Sequence, residues 1–431
     1  MEANKQTLFG KDFTLVVIGQ IISLFGNAIL RFALPLYLLR ETGSSSLFGA
    51  VTACSFIPMI LFSLVGGVLA DRVNKRNIMV GLDFGTTGLI LIFYLLHGLV
   101  PIVPLMIVCL MVLYGISGTY QPSVQASIPV LVEREQLMQA NAVINMVSTL
   151  SSLLGPVIGG VLFGTWGLTP ILLVSVGCFI SSAVMEIFIR IPVERQQTRE
   201  GLFSIIRCDL RESWRFVHDE KPVFIPVVVI LALFNMVLSA AIIVGIPVMV
   251  VNILGMSDVK LGITQGALGL GGLAGGCLTG ILGSRWKLGN SHWLLVSCSV
   301  TAAFMGLGLC SFVPKFWGYI LISVMSFLTM AVSTLFTIQM CAAVQRQSPS
   351  HLLGKIMASI MAVVNCASPL GQAAYGVLFD VCKNIPQAVM FGAALIALML
   401  SMYSKHAFLQ LERGEHSHEC RLEKCASSEA N

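Results

Sequence analysis

Apolar runs, each close to twenty residues long, follow one another along almost the whole chain. Polar positions gather in the short breaks between them. About 20 apolar residues is the length a helix needs to cross the hydrocarbon layer of a bilayer. The runs are solid rather than alternating, which excludes a membrane β-barrel. In lipid each backbone group must find its partner within the segment, so each run is expected to be a helix. Reading between charged or Gly/Pro breaks predicts twelve, over 13–39, 47–70, 77–98, 102–126, 140–164, 168–190, 223–251, 261–283, 291–313, 316–341, 356–379 and 386–408. The predicted fold class is an all-α membrane protein with twelve transmembrane helices.

One break is long. Residues 191–222 are polar on the whole, but LFSIIRCDLRESWRFV (202–217) sets Leu202, Ile205, Ile206, Leu210, Trp214 and Val217 at helical spacing. The stretch reads as an amphipathic helix on the membrane surface, or else as a plain linker. It divides the chain into a six-helix bundle (1–190), a linker (191–222), a second six-helix bundle (223–408) and a tail (409–431) expected to be disordered. The tail carries HSHECRLEKC (416–425), whose spacing is not that of a tight zinc site. The opening MEANKQTLFGKDF lacks the features of a cleaved signal peptide, so the first helix is expected to remain.

Composition agrees. The chain is 56% hydrophobic and 11% charged, against roughly a quarter charged in soluble domains. Of its 26 Lys and Arg, 21 fall on the side of the termini under the twelve-helix topology. Four (Arg40, Lys260, Lys315, Lys383) fall on the other side, and Arg31 alone lies within a span. The positive-inside rule then places both termini in the cytoplasm. The net charge of +5 sits in loops, so nucleic acid is not an expected partner. The twelve cysteines are scattered, mostly in apolar segments, and read as small core residues rather than a disulfide frame. There is no phosphate-binding G-x-x-x-x-G-K-[ST] and no nucleophile–base constellation, so neither an enzyme nor a cofactor is expected.

An offset of 213 residues relates the two halves. Gly67, Asp71 and Arg72 land on Gly280, Ser284 and Arg285, while Gly155 and Pro156 land on Ser368 and Pro369. Duplicated helical units are a common way to build secondary transporters. The motif GGVLADRVNKRN (66–77) resembles the loop 2–3 signature of the major facilitator superfamily, with Gly67, Asp71, Arg72, Lys75 and Arg76 in place. Asn74 stands where glycine is usual, as a residue that tolerates the left-handed conformation. The resemblance implies two pseudo-symmetric six-helix bundles. It also implies that Asp71 engages a helix start in the other half, here near Lys355, and so closes the inner gate. The alternative is that the basic cluster only sets topology. Helix 5 resembles the superfamily's antiporter pattern at Ala142, Ser151, Gly155, Pro156, Gly159 and Gly160, which goes with exporters; simple close helix packing is the other reading. SLFGNAILRFALPLYLLRETGSS (23–45) and QASIPVLVEREQLMQANAV (125–143) are similar to the bacterial branch holding macrolide-efflux proteins and the enterobactin exporter. Drug/proton antiporters of other branches carry an Arg in helix 4, and helix 4 here has none.

In the superfamily helices 1, 4, 7 and 10 line the cavity. Gln20, Ser23, Asn27 and Arg31 form one polar stripe on helix 1; Tyr114, Ser117, Gln121 and Gln125 form another on helix 4. Helix 7 offers Asn235 and Ser239, and helix 10 offers Thr329, Ser333 and Thr337. These groups either line a cavity or hydrogen-bond neighbouring helices. Arg31 either binds an anionic or carbonyl-bearing substrate group or snorkels to the outer interface. Two acids, Asp83 and Glu186, lie within spans and are candidates for proton coupling; for Asp83 an ion pair with the Asp71–Arg72 knot is the rival reading. The expected function is proton-coupled export of an amphipathic organic compound, drug-, macrolide- or siderophore-like, across a bacterial cytoplasmic membrane by alternating access. The alternative is an importer or facilitator of a small metabolite. Expected partners are the substrate, protons and the bilayer, and the expected state is a monomer.

Overall fold

The structure is a computed structural model and describes residues 10–191, 211–282, 288–349 and 352–429. Among these residues twelve long helices follow one another. They are α1 Lys11–Thr42, α2 Ser45–Arg72, α3 Lys75–Leu96, α4 Ile102–Leu131, α5 Leu137–Trp166, α6 Leu168–Ile187, α7, α8 Asp258–Leu282, α9 His292–Leu307, α10 Lys315–Gln347, α11 Leu353–Val381 and α12 Gln387–Glu429. Helix α7 starts at Phe224–Phe234 and continues through π-wound stretches at Asn235–Ser239, Ala241–Gly245 and Val248–Ile253. Among the described residues eleven helices are long and apolar enough to cross a membrane.

Helix α9 has 16 residues and falls short of the expected 291–313. Past Leu307 the backbone tightens into i→i+3 bonds, Leu309 N–H to Gly306 O and Val313 N–H to Cys310 O. Gly306 and Gly308 weaken the α geometry there, and Pro314 ends the segment. The tail expected to be disordered from 409 is helical through Glu429. The stretch has no proline, one glycine, and many Glu, Arg, Leu and Lys, which favour helix. The expected amphipathic helix lies mostly outside the described residues; of it, only residues from 211 onward are described.

Local chemistry sets the breaks. Gly43, at φ 61°, closes α1 in the left-handed conformation, and Ser44 Oγ accepts from Leu47 N at 3.2 Å to open α2. Asn74 does not use the left-handed region expected of it. Its φ and ψ are −59° and 115°, and Oδ1 accepts from Arg76 N at 3.0 Å, so it caps the start of α3. Glycine at that place has no such acceptor.

The chain forms two compact units, Met1–Arg199 with Gly255–Gly266, and Glu200–Leu254 with Ala267–Asn431. The segment opening α8 belongs to the first of these units. Inside the first unit α1 packs on α5, α2 on α4, and α3 on α6. Inside the second, α7 packs on α11 and α9 on α12, and Gly271 of α8 lies against Phe327 of α10. Each unit thus repeats one pairing scheme, as the 213-residue offset predicts. The closest approaches use small residues, because helices in lipid associate by van der Waals fit rather than by expelling water. A Cβ on Gly155 would overlap the Ala28 methyl between α1 and α5. In the equivalent pair, a Cβ on Gly371 would overlap the Met236 carbonyl oxygen between α7 and α11.

Candidate functional site

The first unit holds a fully buried polar cluster. Gln20 Nε2 donates to Tyr120 Oη at 2.8 Å, and Tyr120 Oη donates to Glu186 Oε1 at 2.7 Å. Ser23 Oγ donates to Asp83 Oδ1 at 3.0 Å, and Ser182 Oγ to the Gly19 carbonyl at 3.1 Å. None of Gln20, Ser23, Asp83, Tyr120, Ser182 and Glu186 exceeds 4% exposure. Helical spacing on α1, α3, α4 and α6 aims all six side chains at one level. Among the described residues no Lys, Arg or His pairs with either acid, so the ion pair considered for Asp83 is not formed there. Gln20 Oε1, Asp83 Oδ2 and Glu186 Oε2 are buried without any hydrogen-bond partner.

The α1 stripe continues from this cluster. Ser117 Oγ donates to Asn27 Oδ1 at 3.3 Å. The Arg31 guanidinium lies 3.9 Å from the centre of the Tyr114 ring, and Nη2 lies 3.8 Å from Met59 Sδ. Tyr114 in turn packs on Phe56. An aromatic face and a thioether shelter this cation without neutralising it. No carboxylate pairs with it among the described residues. Gln121 is half-buried on α4 and Gln125 is exposed.

The second unit holds a cavity of about 410 Å³ framed by α7, α8, α10 and α11. Asn235, Ser239, Ser333, Thr334, Thr337 and Asn365 bring the polar groups, and the rest of the wall is apolar, with Met330 and Met361 among it. Among the described residues no charged side chain lines it. Asn235 and Ser239, four residues apart on α7, both face this wall. Thr329, read on the same stripe of α10, turns away and donates to Thr301 at 2.8 Å.

For the gate motif the structure describes part. Gly67, Asp71 and Arg72 lie in the last turns of α2, and their side chains are outside the described residues, as are those of the His/Cys tail. Lys75 is buried at the start of α3, and Arg76 is half-buried with Nε unpartnered. Lys355, at the start of α11, pairs with Glu212 at 2.7 Å. In the helix 5 motif, Ala142 is exposed and Ser151 is buried with its hydroxyl on the Val147 carbonyl. Gly155 and Gly159 face α1 at Ala28 and Phe32, while Gly160 faces Asp258 and Gly262 at the opening of α8. Pro156 sits between, its carbonyl 2.8 Å from where a Cβ on Gly262 would lie. In the same unit Arg40 Nε donates to Asp258 Oδ1 at 2.9 Å.

Two residues of the buried cluster are absent from the sequence reading. Tyr120 lies one place before Gln121, and both are in helical step with Ser117, so spacing alone does not separate them. Ser182 reads as one of many small residues in α6.

Comparison with known proteins decides the family. The profile of the Major Facilitator Superfamily matches residues 16–372. The chain belongs to that superfamily. It is a multi-pass membrane protein of a transporter family. Macrolide efflux protein A of Streptococcus pyogenes is 25% identical over 362 residues, 83% of this chain and 87% of that one. Enterobactin exporter EntS of Shigella boydii serotype 4 is 28% identical over 397 residues, 90% of each chain. Among solved structures, the peptide transporter POT in complex with sulfate superposes with a TM-score of 0.71 at 13% identity, covering 95% of this chain and 97% of that one. The nucleoside transporter NupG does so at 0.69 and 12%, covering 93% and 99%. At such identities these structures speak for the fold alone.

Proposed function

We propose that this superfamily member exports an amphipathic organic compound across a bacterial cytoplasmic membrane, by alternating access and driven by the proton gradient. The observation that carries the reading is the cavity of about 410 Å³, with apolar walls and only neutral hydrogen-bonding groups. Such a wall takes a largely apolar molecule that bears hydroxyl, carbonyl or amide groups, and holds it without ion pairing. Export rather than import is favoured by the names of the relatives and by the helix 5 glycine pattern. Those names are macrolide efflux and enterobactin export.

Asp83 and Glu186 are the candidate proton carriers, since they are buried acids without a basic partner. Asn27, Arg31, Tyr114, Gln121 and Gln125 are candidate substrate contacts of the first unit, with Arg31 offered to a carbonyl or anionic group. Asn235 and Thr337 serve the second unit. Gly67, Asp71, Arg72, Lys75 and Arg76 are assigned to the inner gate, and both termini to the cytoplasm. The protein acts as a monomer.

The test is accumulation of a panel of dyes and antibiotics in efflux-deficient bacteria, with and without a protonophore. Lower accumulation in cells making the protein, lost on adding protonophore, supports the proposal. Higher accumulation of any panel member in those cells favours import and overturns it.

A further inference from the structure

The buried cluster of the first unit is short of donors, not acceptors. Its orphan atoms are three oxygens, Gln20 Oε1, Asp83 Oδ2 and Glu186 Oε2, on three different helices. A buried polar atom left without a partner costs about 1–3 kcal/mol, and more when it is charged. Two acids with no basic neighbour add mutual repulsion in a medium of low dielectric. A single proton converts one orphan oxygen into a donor and serves at most one other. A cation among them would serve more than one at a time and offset the charge as well.

The remaining oxygens of the cluster close the shell. Ser23 Oγ lies 3.0 Å from Asp83 Oδ1, and the Ser182 hydroxyl is also within hydrogen-bond reach of Asp83. Ser182 Oγ and Glu186 Oε1 both lie within 3.7 Å of one point beside Gly19, the residue before Gln20. That makes five hard oxygens, from α1, α3 and α6, in one buried cluster. Five falls short of the 6–8 ligands that calcium takes, and magnesium keeps waters that a fully buried cluster excludes. Among the described residues no group of three or more His, Cys, Asp or Glu side chains forms a transition-metal site. The titratable groups facing one another are Asp83 of α3, Tyr120 of α4 and Glu186 of α6; α1 brings only the uncharged Gln20 and Ser23.

We propose that Gln20, Ser23, Asp83, Ser182 and Glu186 form a binding site for one dehydrated sodium ion, for which protons compete. The site deepens the coupling role given above to Asp83 and Glu186, and rests on that role for its place in transport. Its occupancy can be measured without any substrate.

The experiment uses the purified full chain in lipid nanodiscs. Melting is followed by tryptophan fluorescence while sodium chloride replaces choline chloride at constant ionic strength, at about pH 8 and about pH 6. Sodium is expected to raise the melting temperature saturably at the higher pH. The half-saturating concentration should rise about tenfold or more at the lower pH. Asp83→Asn and Glu186→Gln should remove the sodium effect while melting cooperatively. Ser23→Ala, a milder change, should raise the half-saturating concentration, and binding of radioactive sodium to the unmodified protein reads the site with no variant at all. Equal melting in sodium and choline at both pH values, with no radioactive sodium retained, overturns the proposal. Export that a protonophore abolishes, found together with that result, would keep the export reading and discard the sodium site. Sodium binding without export of any panel member would do the reverse.

Discussion

Tyr120→Phe is the sharpest test of the buried cluster as a structural unit. The hydroxyl accepts from Gln20 at 2.8 Å and donates to Glu186 at 2.7 Å, both in fully buried surroundings. The change removes one oxygen and no packing, so it leaves a stranded amide donor and a stranded carboxylate acceptor. In water-soluble proteins each stranding costs about 1–3 kcal/mol. Between membrane helices the measured worth of one bond averages about 0.6 kcal/mol and reaches about 1.7, because the unfolded chain in the bilayer also finds partners. Two bonds lost at one oxygen give about 1–3 kcal/mol, near 2, which is roughly a thirtyfold shift in the unfolding equilibrium. The assay is unfolding in mixed micelles with rising denaturing detergent, followed by tryptophan fluorescence. Ser23→Ala, which loses one bond, should cost about half as much. A Tyr120→Phe protein as stable as the parent would refute the reasoning, since Gln20 and Glu186 would then have found each other or water. The same variant should also lower export, because Glu186 loses the group that orients it.

Other outcomes follow from single contacts. Gly155→Ala places a methyl on Ala28 and should cost about 1–3 kcal/mol by forcing α1 from α5; Gly276→Ala, with nothing within 4 Å, should leave the same unfolding curve unchanged within about 0.5 kcal/mol. Asn235→Ala with Thr337→Val should raise the half-maximal concentration for an exported substrate roughly fivefold per lost hydrogen bond, read from dye efflux. Arg31→Gln should weaken export of anionic panel members more than neutral ones. Arg31→Lys should not restore it, because the flat guanidinium lies over the Tyr114 ring. Asp71→Asn should abolish transport at normal protein level; transport that survives unchanged would refute the inner-gate assignment.

Helix number and order were legible because an apolar run of bilayer length has few other uses. The repeat was legible because two landmarks shared one offset, and the packing inside each unit follows it. What escaped was bonding with no mark in composition. The π winding of α7 uses the same Val, Ile and Leu that an α-helix uses. The early end of α9 was hidden because Gly306 and Gly308 are as apolar as their neighbours. The polar stripe of α1 was visible, but its division was not: Gln20 and Ser23 turn to the acids, while Asn27 and Arg31 turn to Ser117 and Tyr114. That division depends on residues of α3, α4 and α6 far away in sequence, which spacing along one helix does not report. Asn74 differs from expectation for a related reason: backbone tolerance belongs to the residue type, while its side-chain acceptor acts only at the start of α3.

The three π-wound stretches of α7 carry a mechanical consequence. Each closes its ring with one residue more than an α turn needs. A stretch that tightens to the ordinary i→i+4 bond releases that residue along the helix, and one residue of register is about 100° of rotation. Helix α7 thereby holds spare register in each of its three π-wound stretches. One such step would carry Asn235 and Ser239 off the wall, with every backbone group still bonded at its start and finish. Register held in this way would let a cavity wall be refaced with no strand, lid or loop to move.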